Sequence, residues 1–129
     1  MDAAMLIRKA KAEGRTALTE AESKEILRQF GAPVVKESIA ATPEEAVAKA
    51  EEIGFPVVLK GLGTKLTHKT ERGLVRLNLK DAGEVRQAAA DVAGSAGADL
   101  EGYLIQPMLS GRREFVAGLF LDDQFGPVV

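Results

Sequence analysis

The chain has no cysteine, so disulfides, thiolate metal sites and cysteine nucleophiles are all excluded. A single histidine among 129 residues rules out a histidine-rich metal site. No apolar run approaches the roughly 20 residues that a bilayer-spanning helix needs, and the first residues carry no secretory apolar region. The cytoplasm is the expected compartment, with no membrane partner. Charge of one sign is also lacking: 17 basic against 19 acidic residues leave a net charge of −2. That balance argues against a general electrostatic affinity for nucleic acid or anionic lipid, so any basic patch has to be local.

What is present is the ordinary make-up of a soluble globular protein, 46% hydrophobic and 28% charged. The length suits one domain with a real core, or two small lobes. Asp2 is placed to cap a helix over residues 2–13, with Met5, Leu6, Lys9 and Ala12 as a weak apolar face and Gly14 as its stop. Thr19 and Glu22 have capping-box spacing for a second helix, whose Ile26, Leu27 and Phe30 are expected to face a core before Gly31 and Pro33. Alternation predicts a strand over 34–39. Thr42, Pro43 and Glu45 then predict a helix start, and that helix runs to Gly54.

Residues 57–60 read as a buried strand of β-branched and aliphatic residues, followed by a glycine-rich loop from Gly61. Another strand is expected over 74–80, with Val75, Leu77 and Leu79 sharing one face. Asp81 caps an alanine-rich helix to about residue 93, and 94–102 reads as a glycine-rich joint. Strands over 103–108 and 114–121, turned at Ser110, Gly111 and Arg112, and the start of another at 126–129 complete the order α-α-β-α-β-β-α-β-β. The fold class is α+β, a two-layer α/β arrangement. Residues 1–100 are expected to form one lobe, and 101–129 the opening β-hairpin of a second. Two strands and a stump do not make a stable lobe alone, so the chain is expected to be part of a longer protein or to lean on a partner.

The segment that carries chemistry starts where the 57–60 strand delivers Lys60 to Gly61, Leu62, Gly63, Thr64 and Lys65. It lacks Walker A spacing and the Rossmann third glycine, so as a lone motif it equally reads as an exposed turn. Local charge raises the functional reading: Lys60, Lys65, His68, Lys69 and Arg72 face one acid, Glu71. A basic loop with glycines lets backbone N–H groups approach anionic oxygens, and Lys60 would be a cation on a rigid strand. His68 has three readings: a surface side chain, a protonated phosphate ligand, or a covalent phosphoryl carrier, since neutral imidazole is a nucleophile near pH 7. Lys24 alone reads as a solvated helix residue, and Glu114, beside Arg112 and Arg113 at a strand start, as a surface ion-pair partner.

Six segments in order resemble the ATP-grasp domain of ADP-forming acyl-CoA synthetases, the β-subunit-like part of acetate–CoA ligases. They are Glu13-Gly14-Arg15 with Leu18-Thr19-Glu20-Ala21-Glu22-Ser23-Lys24; Gly31-Ala32-Pro33-Val34; Gly54-Phe55-Pro56-Val57-Val58-Leu59-Lys60; His68-Lys69-Thr70-Glu71-Arg72-Gly73; Leu104-Ile105-Gln106-Pro107-Met108; and Gln124-Phe125-Gly126-Pro127-Val128-Val129. The resemblance implies the first lobe of an ATP-grasp fold and the opening hairpin of the second. It also implies reversible phosphoryl transfer between ATP or ADP and a histidine, coupled to an acyl-CoA thioester.

By position, Lys24 and Lys60 would contact the nucleotide phosphates beside Gly61 and Gly63. Gln106, Pro107 and Met108 would form the hinge that meets adenine, and Glu114 would follow it. His68 would be the phosphoryl carrier. Arg72 departs from the family pattern, where many relatives have glycine. The resemblance further implies Mg²⁺, with ligands expected beyond Val129, and a CoA-binding subunit or domain that brings acyl-CoA and phosphate. The 129 residues alone are expected to be catalytically incompetent. The alternative is a regulatory or interaction ATP-grasp module, for example of a protein acetyltransferase.

Overall fold

Each of the four α-helices opens on a side chain that closes its own first turn. In the computed structural model, which describes residues 1–66, 72–111 and 113–129, α1 (Ala3–Ala12) starts at Asp2, whose carboxylate accepts from the Met5 N–H at 2.7 Å. α2 (Glu20–Gln29) carries the full capping box: Thr19 Oγ1 accepts from the Glu22 N–H, and the Glu22 carboxylate accepts from the Thr19 N–H. α3 (Pro43–Ile53) has Thr42 as its cap and proline in its first turn, and α4 (Ala82–Ala96) is capped by Asp81. These caps satisfy N–H groups that no helical carbonyl reaches, which is why the starts were legible from spacing. His68, with the rest of 67–71, and Arg112 lie outside the described residues.

Strands β1 (Ser38–Ala40), β2 (Val57–Leu62), β3 (Val75–Leu79) and β4 (Gly102–Pro107) form one sheet in the order β1-β4-β2-β3, antiparallel at every pairing. The strand that comes last in sequence lies between β1 and β2. A separate antiparallel pair, β5 (Phe120–Asp122) and β6 (Gly126–Val128), is turned at Asp122, whose carboxylate accepts from the Gln124 and Phe125 N–H groups.

Strand periodicity divides the sheet into two faces. Val57, Leu59, Tyr103 and Ile105 pack with Ala50, Val85, Ala89 and Val92 of α3 and α4 in one buried cluster. The intervening Val58, Lys60, Leu104 and Gln106 point to the opposite face. Tyr103 reaches through the core to donate its hydroxyl to the Ala89 carbonyl.

The structure corrects several expectations. No residue of α2 is buried: Leu27 is 52% exposed and Phe30 80%. The helix is tied down by polar contacts of Glu20 and Lys24 instead of an apolar stripe. In α1 the buried residues are Leu6 and Ala10, while Met5 is exposed. β2 runs two residues further than expected, so Gly61 and Leu62 pair with Tyr103 and Gly102 instead of starting a loop.

The even alternation expected for β3 fails because the register slips between Val57 and Leu59, where Asn78 adopts φ 56°. The inserted residue flips the strand's facing, so Val75 and Leu77 share one face while Leu79 packs against the helical core. The glycine-rich joint is mostly helix: α4 passes through Gly94 to Ala96 and ends where Gly97 takes φ 60°, followed by a 3₁₀ turn. Of 34–39 only Ser38 and Ile39 join the ladder, and the strand ends on Ala40, one residue later than expected. Likewise, of 114–121 only 120 and 121 are in a strand, and the hairpin turn forms around 122–126.

Candidate functional site

The capping box at Thr19 fixes Glu20 as the first residue of α2, and Lys24 follows one turn later on the same face. That face meets the side of the sheet where β2 presents Lys60 and β4 presents Gln106. Lys24 Nζ donates to Glu20 at 3.1 Å, to Glu37 at 2.8 Å and to Gln106 Oε1 at 2.9 Å. Lys60 Nζ donates to the same Glu20 carboxylate, at 3.3 and 3.1 Å to its two oxygens. Two cations from separate elements therefore converge on one anion. Both lysine side chains are about four-fifths covered, so these contacts are more shielded than ordinary surface pairs.

Burial pulls the Lys24 pKa down, but hydrogen bonds to Glu37 and Glu20 outweigh it and leave it raised. Burial pushes Glu20 up, but the hydrogen bond from Lys24 and the charge of Lys60 overcome that and hold its carboxyl below the usual range. Glu20 and Lys24 thus each favour the charged form of the other.

Beside this cluster lies an open cleft of about 520 Å³. Glu20, Lys60 and Gln106 line its polar end. Val58, Val75 and Leu77 form one apolar wall, and Pro107, Met108 and Leu109 continue it. The Met108 N–H is already used, donating to the Pro56 carbonyl at 3.1 Å, which ties the exit of β4 to the entry of β2. A flat apolar slot with cations at one end is suited to a molecule with an aromatic base and a polyanionic tail. A larger groove, about 700 Å³, runs along α1 and α2. Its lining includes Glu13, Glu22, Glu25, Glu37 and Glu101 against Lys9 and Arg15, and this acidic excess disfavours anions.

The sequence-predicted residues divide into four sets. Lys24, Lys60, Gln106, Pro107 and Met108 come together around the cleft and the cluster beside it. Gly61 and Gly63 sit at the buried end of β2 and do not line the cleft. A Cβ on Gly61 would stand 3.2 Å from Val92 Cγ1, and one on Gly63 2.4 Å from the Asp99 carbonyl oxygen. Close packing against α4 and the turn after it thus explains both glycines. Glu114 is exposed in a stretch without regular structure, apart from the cleft lining. His68 lies outside the described residues.

Glu20 and Glu37 were not singled out from the sequence. The four-residue spacing of Glu20 and Lys24 on a capped helix signals an ion pair. Glu37, thirteen residues from Lys24, has no local signal. Among the described residues, no group of three or more His, Cys, Asp or Glu side chains could hold a metal ion, and no helix is long and apolar enough to cross a membrane.

Comparison with known proteins agrees with this architecture. A family model for the ATP-grasp domain matches residues 9–129. The chain is 43% identical to the acetate–CoA ligase [ADP-forming] I subunit beta of Pyrococcus furiosus, covering 96% of this chain and 55% of that subunit. The dinucleotide-forming acetyl-coenzyme A synthetase 1 of Candidatus Korarchaeum cryptofilum, solved with coenzyme A and Ca-AMPCP, superposes with a TM-score of 0.90 at 39% identity, over 95% of this chain and 56% of that one. The same synthetase, solved with coenzyme A and Mg-AMPPCP and with its phosphohistidine segment pointing towards the nucleotide binding site, gives a TM-score of 0.81 at 36% identity, over 98% and 54%. The chain spans about half the length of the Pyrococcus furiosus subunits it matches.

Proposed function

The chain belongs to the ATP-grasp domain family, and on that premise we propose that it is the nucleotide-holding part of an ADP-forming acyl-CoA synthetase, a soluble cytoplasmic ligase. The observation that carries this reading is the convergence of Lys24 and Lys60 on Glu20, which lines the polar end of an apolar cleft. A nucleotide fits these residues: its base against the wall formed by Val75, Leu77 and residues 107–109, its phosphates toward the two ammonium groups. Lysines supply compact positive charge without dictating geometry, as sliding polyphosphate oxygens require. Gly61 and Gly63 serve this site through the seating of β2, which carries Lys60.

His68 is assigned the role of phosphoryl carrier. A ring nitrogen forms the bond to the terminal phosphorus as the bond to the bridging oxygen breaks and ADP departs. The support is the phosphohistidine segment of the similar Korarchaeum synthetase. Thioester formation or cleavage then belongs to a CoA-binding subunit or domain that presents acyl-CoA and phosphate. Glu114 is assigned to a second wall of the cleft that such longer proteins complete. Bound magnesium supplies charge neutralisation to phosphoryl transfer. The described residues do not form a magnesium site by themselves. The 129 residues alone are assigned weak nucleotide binding and no turnover.

Melting the chain with and without ATP tests the nucleotide reading. ATP raises Tm for the wild type and not for Lys60→Met; no rise in the wild type overturns it. For His68, the longer protein is incubated with its CoA-binding partner and ATP labelled at the γ-phosphate. Acid-labile label absent from His68→Ala is the expected result, and unchanged label in that variant removes His68 from the reaction.

A further inference from the structure

A lysine ammonium has three N–H donors. All three of Lys24 are used, by Glu20, Glu37 and Gln106 at 2.8–3.1 Å. A phosphate oxygen can therefore reach Lys24 only by replacing one of these acceptors. Glu37 and Gln106 are bonded to Lys24 alone among the two lysines, whereas Glu20 is held by both. The position a bridging phosphate would take, between Lys24 and Lys60, is the position of the Glu20 carboxylate. Glu20 also lines the polar end of the cleft, so an anion entering along the slot meets it.

We propose that Glu20 is an internal counter-anion, standing in for the nucleotide's phosphates between Lys24 and Lys60 and expelled by them when they bind. This rests on the reading that the cleft takes a polyphosphate, and it adds a device to that site. With Glu20 in place, two half-buried cations are kept paired, preorganised and at a fixed separation in the empty cleft. Without it, they would repel each other from a poorly solvated site. The cost is competition: every polyphosphate that binds must first break the Glu20 contacts, so affinity is held below what two lysines could give.

Lys60, which lines the cleft, has only Glu20 among its acceptors in the described residues. Lys24 keeps Glu37 and Gln106 after the exchange, so it remains anchored to Ser38's neighbour strand region and to β4 while one donor turns to the phosphate. The exchange is thus confined to one carboxylate at the start of α2, and it needs no rearrangement of the sheet.

The test measures binding of inorganic tripolyphosphate, which shares the phosphate chemistry and lacks the base, by calorimetry on the 129-residue chain and its Glu20→Gln, Glu20→Ala and Lys60→Met variants. Glu20→Gln and Glu20→Ala are expected to bind about tenfold more tightly than the wild type, the loss of one charged competitor, and Lys60→Met more weakly. Unchanged or weaker binding by both Glu20 variants, with Lys60→Met still weakened, overturns the counter-anion while leaving the cleft reading intact. Binding that Lys60→Met does not reduce removes the cleft reading itself. Should the Glu20 variants fail to fold, a crystal of the wild type soaked in tripolyphosphate decides. The carboxylate is expected beyond hydrogen-bond reach of both ammonium groups, and Glu20 still bonded to Lys60 beside bound tripolyphosphate overturns the proposal.

Discussion

Lys24 on a helix and Lys60 on a strand, 36 positions apart in sequence, place their ammonium groups on the same carboxylate, each 3.1 Å from Glu20 Oε2. Like charges drawn this close make the start of α2 as important to the cleft as the strands beneath it.

Thr19→Ala removes one half of the capping box that sets where α2 begins. A loss of about 1 kcal/mol in a urea unfolding titration is expected. ATP-induced stabilisation is expected to fall as well, since the cap decides the placement of Glu20 and, one turn on, of Lys24. A change in stability alone would show that the cap does not position the lysine.

The pH dependence has a defined sign. Glu20 and Glu22 both have lowered carboxyl pKa values. For Glu20 burial acts upward but is outweighed by Lys24 and Lys60, and for Glu22 the chief cause is the hydrogen bond from Arg15. Their contributions are present above the unfolded value of about 4.3 and are lost as pH falls through the folded values. Lys24, with a raised pKa, contributes below about 10.4 and loses that contribution as pH rises through its folded value. Unfolding free energy is therefore expected to be flat near neutrality and to decline below pH 5. The acid limb should be shallower in Glu22→Gln, and an unchanged limb would count against the Arg15–Glu22 pair.

Two glycines should respond in opposite directions to alanine. At Gly63 the added carbon meets the Asp99 backbone oxygen at 2.4 Å, so Gly63→Ala is expected to cost about 1–3 kcal/mol. At Gly94, inside α4 with nothing within 4 Å, Gly94→Ala is expected to gain about 0.5–1 kcal/mol. Thermal melts of the two variants check both signs.

Phe30 and Leu59 make a similar contrast. Leu59 is fully buried between the helices and the sheet, while Phe30 is four-fifths exposed. Leu59→Ala is expected to cost about 2–5 kcal/mol and Phe30→Ser no more than about 0.5 kcal/mol, read from denaturant midpoints. A large loss at Phe30 would restore it to a core.

Helix starts were legible because caps are local: Asp2, Thr19, Thr42 and Asp81 each bond within four residues of themselves. The ATP-grasp fold class was legible because motif order along the chain carries it. What sequence could not show depends on distant partners. The fate of Phe30 turns on whether another surface covers it. Asn78 shifts a register that simple alternation assumes to be even. At the site, Lys24 and Lys60 were identified by resemblance, yet the acids that hold them were not. Glu37 reaches Lys24 through space alone, and Glu20 had been read only as part of a motif.

The central place of β4 has a bearing on how the chain comes off the ribosome. Among the described residues β1 pairs with β4 alone, and without β4 the pairing of β2 would be with β3 alone. A nascent chain released only as far as residue 100 therefore holds both covering helices over a sheet with its middle missing. Closure waits for β4 itself, and that strand also delivers Gln106 and Pro107 to the cleft, so maturation of the scaffold and of the pocket is one event.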